Sequence, residues 1–320
     1  MLKGYLSHLL FQNFGHQVLG LEVCKKFIDQ AYKTQENLYP SCKNNVIFSE
    51  LFVQIDSEKT IESLIEKHFG KNRRICLTGL HACADLSVTV LKLFSKMECV
   101  KALSIMPCCY HRTEVKEEMP EKTIFTNFPC SRTLKDIFER FEGETYLGTP
   151  FLRLACQDTY ESFLELSEKD LETKTQALLF RAVLEFVAED QNCTVKRLKR
   201  KSGKLTTTDG GLFFETHLNN LPSCHRLLAA PSSIPRDIDE PFLMEMRRKW
   251  EEYHTNITKR LAVSVYIALQ ALIQSVCENV VLVDRIEMVR EYGYSCRLKR
   301  ITDSKLSPRC WALVAVKDIQ

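Results

Sequence analysis

The first third of the chain alternates between two hydrophobic patterns. Short apolar runs, at residues 16–22, 73–79 and 100–106, are separated by segments in which apolar residues recur every three or four positions. The short runs predict strands, and the periodic segments predict amphipathic helices. Strands that alternate with helices of about 10–15 residues are typical of a parallel sheet with right-handed crossovers. We therefore predict that residues 1–112 form an α/β unit.

The pattern changes between residues 113 and 256, where strands no longer alternate with helices. Helical periodicity is found at residues 134–141, 159–166, 171–191 and 241–253. A basic segment, with six lysines or arginines among residues 195–204, precedes a glycine-rich stretch and is predicted to be a loop. We interpret residues 113–256 as a mainly helical insertion.

The α/β pattern returns in residues 257–320. A strongly apolar helix is predicted at residues 261–276 and a short helix at residues 285–292. Two strands follow, at residues 294–301 and 310–316, and a loop separates them. Two strands joined in this way are most simply antiparallel. This last segment is therefore predicted to complete the sheet of the N-terminal α/β unit.

Composition narrows the class of protein. Hydrophobic residues make up 45% of the 320 residues and charged residues 27%, which is typical of a globular protein and argues against disorder. The net charge is only +3, so any nucleic-acid contact would have to be local. No apolar run approaches the roughly 18–20 residues of a membrane span, and we expect no membrane contact. The fourteen cysteines are scattered through apolar segments, which favours an intracellular protein, cytoplasmic or nuclear, with reduced thiols.

Polar side chains that end the predicted strands are candidates for a functional site, because ligands of open α/β sheets bind outside the carboxyl ends of the strands. Glu22 ends the first run, and a carboxylate in this place can accept both hydroxyls of a ribose. Glu22 could also be the solvated start of a helix, where a negative charge is favourable. His81 and Cys83 end one later strand, and the segment 107–111 ends the next.

Three interpretations of the later strand ends stay open. The side chains could line a cofactor and acceptor pocket, they could bind a metal such as zinc, or they could be buried thiols beside a capping histidine. An extended backbone sends adjacent side chains to opposite faces, so at most one of Cys108 and Cys109 is expected to face a shared metal. For this reason no metal ligand is assigned from the sequence.

The order of elements and several local segments resemble a known family. A parallel sheet closed by helix, strand, loop and antiparallel strand resembles the class I S-adenosylmethionine-dependent methyltransferase fold. The segments GYLSHLL, VLGLE, LTGLHACADL, PCCYHR and DRIEMVREYGY resemble the methyltransferase-like protein 25 family, close to a branch similar to ribosomal RNA adenine dimethylases. The pieces Gly-Leu-His-Ala-Cys and Pro-Cys-Cys-Tyr-His are the most specific. The resemblance implies a Rossmann-like α/β sheet with helices on both faces.

The resemblance also implies S-adenosylmethionine as the cofactor and an unidentified methyl acceptor. Glu22 would hold the ribose, and Gly4, Gly79 and His81 would surround the methionine part. The acceptor would lie against the residues that end the next strand: Pro107, Cys108, Cys109, Tyr110 and His111. Methyl transfer depends mainly on the alignment of nucleophile, methyl group and leaving sulfur, so the sequence names no catalytic residue.

One departure from the family pattern concerns the beginning of the printed chain. Members of the family would carry an Asp-x-Gly-x-Gly-like segment just before GYLS, after a first strand in the middle of the sheet. This chain begins MLKGYLS, and Gly4 matches the last glycine of that segment. The resemblance therefore predicts an N-terminally shortened form that lacks the first strand and the glycine loop. We expect the neighbouring strands to keep unpaired backbone groups, which are costly when buried.

Two other functions compete with that of an active methyltransferase. The shortened form could be inactive, a non-catalytic binding protein whose helical insertion holds a partner. The basic segment 195–204 could contact RNA phosphates, although a solvated loop explains it as well and no aromatic residues are interleaved. A nicotinamide-dependent dehydrogenase is the weaker alternative, because the antiparallel end of the sheet disfavours it.

Overall fold

The structure is a computed structural model that describes residues 4–119, 122–141, 147–198 and 210–317. Its first elements alternate as the hydrophobic pattern predicts: α1 (Tyr5–Phe14), β1 (Val18–Glu22), α2 (Lys25–Leu38), β2 (Val46–Glu50), α3 (Glu58–Phe69), β3 (Ile75–Cys83), α4 (Asp85–Lys96) and β4 (Val100–Cys108). A small hairpin and two helices follow: β5 (Val115–Met119), β6 (Lys122–Phe125), α5 (Arg132–Arg140) and α6 (Thr149–Leu154).

The chain folds into two compact units, a core unit of residues 1–157 and 274–320 and a helical unit of residues 158–273. The helical unit contains α7 (Tyr160–Leu164), α8 (Glu168–Asp190), β7 (Cys193–Arg197), α9 (Gly210–Cys224), β8 (His225–Ala229), β9 (Ile234–Arg236) and α10 (Glu240–His254). The remaining elements are α11 (Ile257–Glu291), β10 (Cys296–Arg300) and β11 (Trp311–Val316). Helix α11 begins in the helical unit and ends in the core unit.

Two main sheets form the framework of the core unit. β1 and β2 pair in parallel, with Val18 opposite Val46 and Glu22 opposite Glu50. The second sheet has the order β10-β11-β4-β3, in which β3 and β4 are parallel and β11 is antiparallel to both of its neighbours. The predicted antiparallel pair at the end of the chain is therefore confirmed, and the core unit is an α/β fold.

Helix α4 shows how the sequence pattern produces the core. Val88, Leu91 and Phe94 recur every three residues, so they lie on one face of the helix, and all three are fully buried. They share one hydrophobic cluster with Leu103 and Ile105 of β4. Burial of each such side chain contributes about 1.5–3 kcal/mol. This packing fixes the positions of β3 and β4, whose ends carry the predicted site.

The helical unit has a hydrophobic core of its own. Phe180 of α8, Phe214 of α9 and Trp250 of α10 are buried in one cluster, and their rings are in contact. β7, β8 and β9 form an antiparallel three-stranded sheet. The prediction of a loop at residues 195–204 is wrong for its first three residues, which belong to β7. Its last six residues lie outside the described part of the chain.

The two units differ from the domains predicted at 1–112, 113–256 and 257–320. Residues 113–157 belong to the core unit, because Phe128 and Leu152 share a hydrophobic cluster with Val281 of α11. The helical insertion therefore begins later than predicted, at residue 158, and it continues further, to residue 273.

A single helix, α11, replaces the two helices predicted at 261–276 and 285–292. The polar residues Glu278, Asp284 and Arg285 do not end the helix, because they are buried and hydrogen-bonded. By length and composition α11 could cross a membrane, which corrects the expectation that no segment approaches such a length. One helix of this kind is weak evidence for a membrane span, since core helices of soluble proteins pass the same test.

Candidate functional site

The carboxyl ends of β3 and β4 lie side by side. In the register of the two strands Cys83 is opposite Cys108. A β-bulge precedes this pair, because β3 advances three residues from Gly79 to Ala82 while β4 advances only two from Ile105. Bulges redirect side chains and are frequent beside functional sites. The bulge therefore decides which side chains at the end of β3 face β4.

A residue with positive φ follows each of the two strands. Ala84 follows β3 with φ 48°, and Cys109 follows β4 with φ 53°. Glycine adopts such angles freely, whereas another residue pays about 1–3 kcal/mol in backbone strain. Residues strained in this way concentrate at active sites and ligand clamps. The surrounding structure must therefore hold both strand ends in place.

The thiol cluster, which consists of Cys83, Cys108 and Cys109, results from this backbone geometry. The three sulfur atoms lie within 4.8 Å of one another, and Cys83 Sγ is 3.1 Å from Cys108 Sγ. The prediction that at most one of the two adjacent cysteines faces a shared ligand is wrong. That prediction assumed an extended backbone, whereas the left-handed conformation of Cys109 brings its sulfur to the side of its neighbour.

One sulfur of the thiol cluster is acidic. The hydrogen bond from the Cys108 thiol lowers the pKa of Cys83 to about 6, against the effect of burial. Cys109 and the basic side chains of His81 and Arg112 lower this pKa further. The same hydrogen bond, together with burial, raises the pKa of Cys108. The pair therefore shares one proton at neutral pH, and the thiolate is the form of cysteine that reacts and binds metals.

A buried polar network supports the end of β4. The Tyr110 hydroxyl lies 3.0 Å from Glu278 Oε1 and 3.2 Å from the carbonyl oxygen of Pro107. Glu278 forms an ion pair with Arg309, with 3.1 Å between Nη1 and Oε1. Its other carboxylate oxygen accepts a hydrogen bond of 2.9 Å from Gln274. Burial raises the pKa of Glu278, and Arg309 opposes this shift. These contacts join α11 to the segment beside the thiol cluster.

Arg285 joins α11 to the end of β3. Its Nε donates to Ser87 Oγ at 3.0 Å, and the Ser87 hydroxyl donates to the carbonyl oxygen of Ala84 at 2.7 Å. The Arg285 guanidinium also lies 5.4 Å from the centre of the Tyr110 ring, which follows β4. Arg285 and Ser87 are both fully buried. The Arg285 side chain therefore contacts the residues that follow both strands: through Ser87 after β3, and at the Tyr110 ring after β4.

Sequence reasoning missed Ser87, Glu278 and Arg285. Their partners are far away along the chain, by 198 residues between Ser87 and Arg285 and by 168 residues between Tyr110 and Glu278. A usable signal is the presence of charged residues within an apolar helix, because a buried charge is costly unless it is paired. Cys156 was missed as well, and its sulfur accepts a hydrogen bond from the Tyr110 amide at 3.1 Å.

Gly4 and Glu22 belong to the region of the two-stranded sheet. Gly4 precedes α1 with φ 70°, and a β-carbon there would lie 2.6 Å from the Phe48 ring, so packing alone requires glycine. Glu22 Oε1 accepts the amide hydrogens of Val23 and Cys24 at 2.9 and 3.2 Å. Burial acts to raise the pKa of Glu22, but hydrogen bonds that include these two lower it below its ordinary value. Glu22 is therefore an oriented, ionised carboxylate at the end of a parallel strand.

Gly79 and His81 lie on β3, in the four-stranded sheet. A β-carbon at Gly79 would meet no atom within 4 Å, so the backbone borders open space. His81 is exposed at the bulge. His111, which follows the thiol cluster, is half-buried, and burial together with the charges of nearby arginines lowers its pKa. The predicted residues on β3 thus border space that a ligand could fill.

Comparisons with known proteins concern the same residues. A family model of a methyltransferase domain matches residues 3–117, which contain every candidate site residue named from the sequence. The Mus musculus protein "Probable methyltransferase-like protein 25" is 24% identical over 294 residues, which are 89% of this chain and 44% of that protein. The Homo sapiens protein of the same name is 25% identical over 326 residues, covering 98% of this chain and 48% of that protein. Over most of its length the chain is therefore similar to proteins of the methyltransferase-like protein 25 family.

These similarities confirm the resemblance seen in the sequence and fit the architecture of the core unit. β3 and β4 are parallel, β11 runs antiparallel beside β4, and β10 pairs antiparallel with β11; this order is consistent with a class I methyltransferase fold. The chain spans about half the length of the curated relatives it matches. No solved structure matches the chain.

Ala84→Gly should stabilise the protein. Ala84 has φ 48° and ψ −125°, which glycine adopts without strain. Glycine removes about 1–3 kcal/mol of backbone strain from the folded state. It also increases the conformational entropy of the unfolded chain, which lowers stability by roughly 0.5–1 kcal/mol, so the relief of strain is the larger effect. We expect a net gain of about 1 kcal/mol, measured as a higher urea midpoint at unchanged slope. Ala82→Gly, at a buried alanine of β3, is the control and should lose stability. A loss in both variants would contradict the assigned strain.

Proposed function

We propose that this chain binds S-adenosylmethionine and transfers its methyl group to an acceptor at the carboxyl ends of β3 and β4. The observation that carries the proposal is the methyltransferase-domain match over residues 3–117, which contain both strand ends. S-adenosylmethionine is the usual methyl donor of such domains. The architecture supports this, because open α/β sheets bind ligands outside the carboxyl ends of their parallel strands.

Glu22 is the residue that we assign to the ribose of the donor. It ends β1, and the amides of Val23 and Cys24 orient its carboxylate. An ionised carboxylate can accept hydrogen bonds from both ribose hydroxyls. Charge-assisted bonds of this kind are worth about 1.5–3 kcal/mol each. The ribose contact would therefore contribute a large part of the affinity for the donor.

The methionine part of the donor is assigned to Gly79, His81 and Gly4. Gly79 offers backbone without a side chain beside open space, and His81 is exposed two residues later. Gly4 precedes the N-terminus of α1, where unpaired amide groups favour a carboxylate such as that of methionine. The three residues would bind the donor through backbone groups and one imidazole.

We also propose that the two main sheets are parts of one sheet with room for a further parallel strand between β1 and β3. Among the described residues β1 pairs only with β2, and β3 pairs only with β4. Leu21 of β1 and Leu77 of β3 pack against the same hydrophobic cluster, so the two open edges border a common core. A strand between them would supply both edges with backbone partners.

The acceptor is assigned to the segment 107–111. In the reaction a nucleophilic atom of the acceptor bonds to the methyl carbon while the bond from that carbon to the donor sulfur breaks, which releases S-adenosylhomocysteine. The main task of the protein is to align the three atoms. Tyr110 makes this segment rigid, because Glu278 holds its hydroxyl and Arg285 lies over its ring.

Glu22→Gln should weaken the binding of S-adenosylhomocysteine at least about tenfold, since one charge-assisted hydrogen bond is worth about 1.5–3 kcal/mol. Glutamine keeps the shape of the side chain and removes its charge. Isothermal titration calorimetry of the parent chain and the variant measures the difference.

The matched control for this titration is Glu36→Gln. Glu36 is exposed on α2 and should be replaceable without effect on binding. Equal affinity of the Glu22 variant and the parent would reject the ribose assignment. The absence of any binding heat from the parent would reject the donor site in this chain.

A further inference from the structure

We propose that the thiol cluster binds one zinc ion, at a site that does not depend on the methyl donor. The sulfur atoms of Cys83, Cys108 and Cys109 lie within 4.8 Å of one another, and one pair is 3.1 Å apart. A zinc–thiolate bond is about 2.3 Å long, so two thiolates of a tetrahedral site lie about 3.8 Å apart. The sulfur atoms are therefore within about 1 Å of the arrangement that zinc requires.

The chemistry of the three ligands selects the ion. Thiolates are soft donors that bind zinc, copper(I) and iron–sulfur clusters, whereas magnesium and calcium prefer oxygen ligands. Three sulfur atoms this close together suit a single ion. Three thiolates and Zn²⁺ carry a net charge of −1, and the guanidinium of Arg112 can balance it, because its charge acts on both Cys83 and Cys109.

The backbone around the thiol cluster has the rigidity of a preformed metal site. A thiol that only fills space in a core needs no strained residue, yet Cys109 adopts φ 53°. The amide of Ala84 donates to the carbonyl oxygen of Cys108 at 2.8 Å, which locks the two strand ends together. Ser87 and Arg285 then hold the carbonyl group of Ala84. Such outer contacts orient the ligands of metal sites and raise their affinity.

The fourth position of the proposed zinc ion is open. The thiol cluster supplies three ligand atoms, and three protein ligands with one exchangeable position are typical of catalytic zinc sites. Cys83 and Cys109 are half-buried, so a small molecule can reach the ion. Zinc lowers the pKa of a bound water or thiol. If the segment 107–111 holds the acceptor, zinc would activate its nucleophile; this last step rests on the proposed function, whereas the zinc site does not.

The test measures metal in the purified chain, with no methyl donor present. Protein produced with zinc in the medium, and purified under reducing conditions without a metal-affinity resin, should contain about one equivalent of zinc by mass spectrometry. Cys83→Ser, Cys108→Ser and Cys109→Ser should each reduce the content to below about 0.3 equivalent. Cys76→Ser is the matched control and should keep its zinc, because Cys76 is an exposed cysteine at the opposite end of β3.

A second measurement uses the parent chain alone, so it tests the proposal even if a variant fails to fold. Cobalt(II) added to the metal-free parent should produce the intense thiolate-to-cobalt absorption of a tetrahedral sulfur site, and zinc should then abolish it. A parent chain that holds less than about 0.1 equivalent after reconstitution with zinc would overturn the proposal. Full zinc content in the Cys83 and Cys109 variants would overturn it as well.

A disulfide is the competing chemistry for the close pair of sulfur atoms. Alkylation that reaches Cys83 and Cys108 only after reduction, and is unaffected by a chelator, would show a disulfide and would also overturn the zinc site. None of these outcomes changes the titration with S-adenosylhomocysteine. The zinc site and the donor site can therefore fail independently.

Discussion

Replacing Arg309 with methionine should lower the free energy of unfolding by about 3–5 kcal/mol. Arg309 is paired with Glu278, and the two side chains are only 12% and 6% exposed. Methionine removes the charge but keeps much of the volume, so Glu278 would be left as an unpaired carboxylate in a buried place. Arg309 also donates to the carbonyl oxygen atoms of Ala155 and Gln157, and both hydrogen bonds would be lost.

Urea unfolding followed by circular dichroism measures this loss. Arg297→Met, at an exposed arginine of β10, is the matched control and should change stability by less than about 0.5 kcal/mol. The deficit of the Arg309 variant should shrink as the pH falls. Burial raises the pKa of Glu278 in the folded state. Above this pKa the variant contains an unpaired buried carboxylate and is destabilised, whereas below it the carboxyl group is protonated and the lost stability returns. A deficit that grows toward acid would contradict the buried ion pair.

Trp250→Ala should destabilise the helical unit by about 3–5 kcal/mol. The ring is 4% exposed, stacks on Phe214 with 4.7 Å between the ring centres, and meets Phe180 edge-on at 6.3 Å. Alanine would leave a cavity between three helices, because the neighbouring aromatic rings can close it only in part. Trp250→Phe keeps a ring in this place and should cost clearly less.

The two tryptophans of the chain allow the units to be followed separately. Trp250 lies in the helical unit, whereas Trp311 lies in β11 of the core unit. In Trp250→Ala the fluorescence of Trp311 reports the core unit alone, while circular dichroism reports the helices of both units. We expect the dichroism transition to begin at a lower urea concentration than the fluorescence transition. A dichroism midpoint equal to that of the parent would contradict the stabilising role of the Trp250 cluster.

Much of the core unit could be predicted because its signals are local. The spacing of Val88, Leu91 and Phe94 is visible within a few residues, and so is the apolar run that becomes β4. The course of α11 could not be predicted in this way. Its polar residues indicated a break between two helices, yet Asp284 accepts the amide hydrogen of Cys130, which lies 154 residues earlier. A short window of sequence does not contain such a partner.

The sequence predicted which strand ends form the candidate site, but it did not predict that the three cysteine side chains lie together. Polar residues that interrupt apolar runs gave the positions of His81, Cys83 and the segment 107–111. Side-chain directions depend on the bulge in β3 and on the positive φ of Cys109. A positive φ at a residue other than glycine is imposed by tertiary contacts, so no rule of alternation could foresee it. The same contacts include Arg285, whose role emerges only when distant elements meet.

The open edge of β3 among the described residues also bears on self-association of the protein. Among the described residues β3 pairs on one edge only, and it exposes Cys76, Thr78 and Leu80 on one face. Unpaired amides beside an exposed apolar side chain are a template for strands of other molecules, which is how aggregation begins. For biochemical work, Leu80 is the position at which a charged gatekeeper residue would interrupt such association without touching the buried face of the sheet.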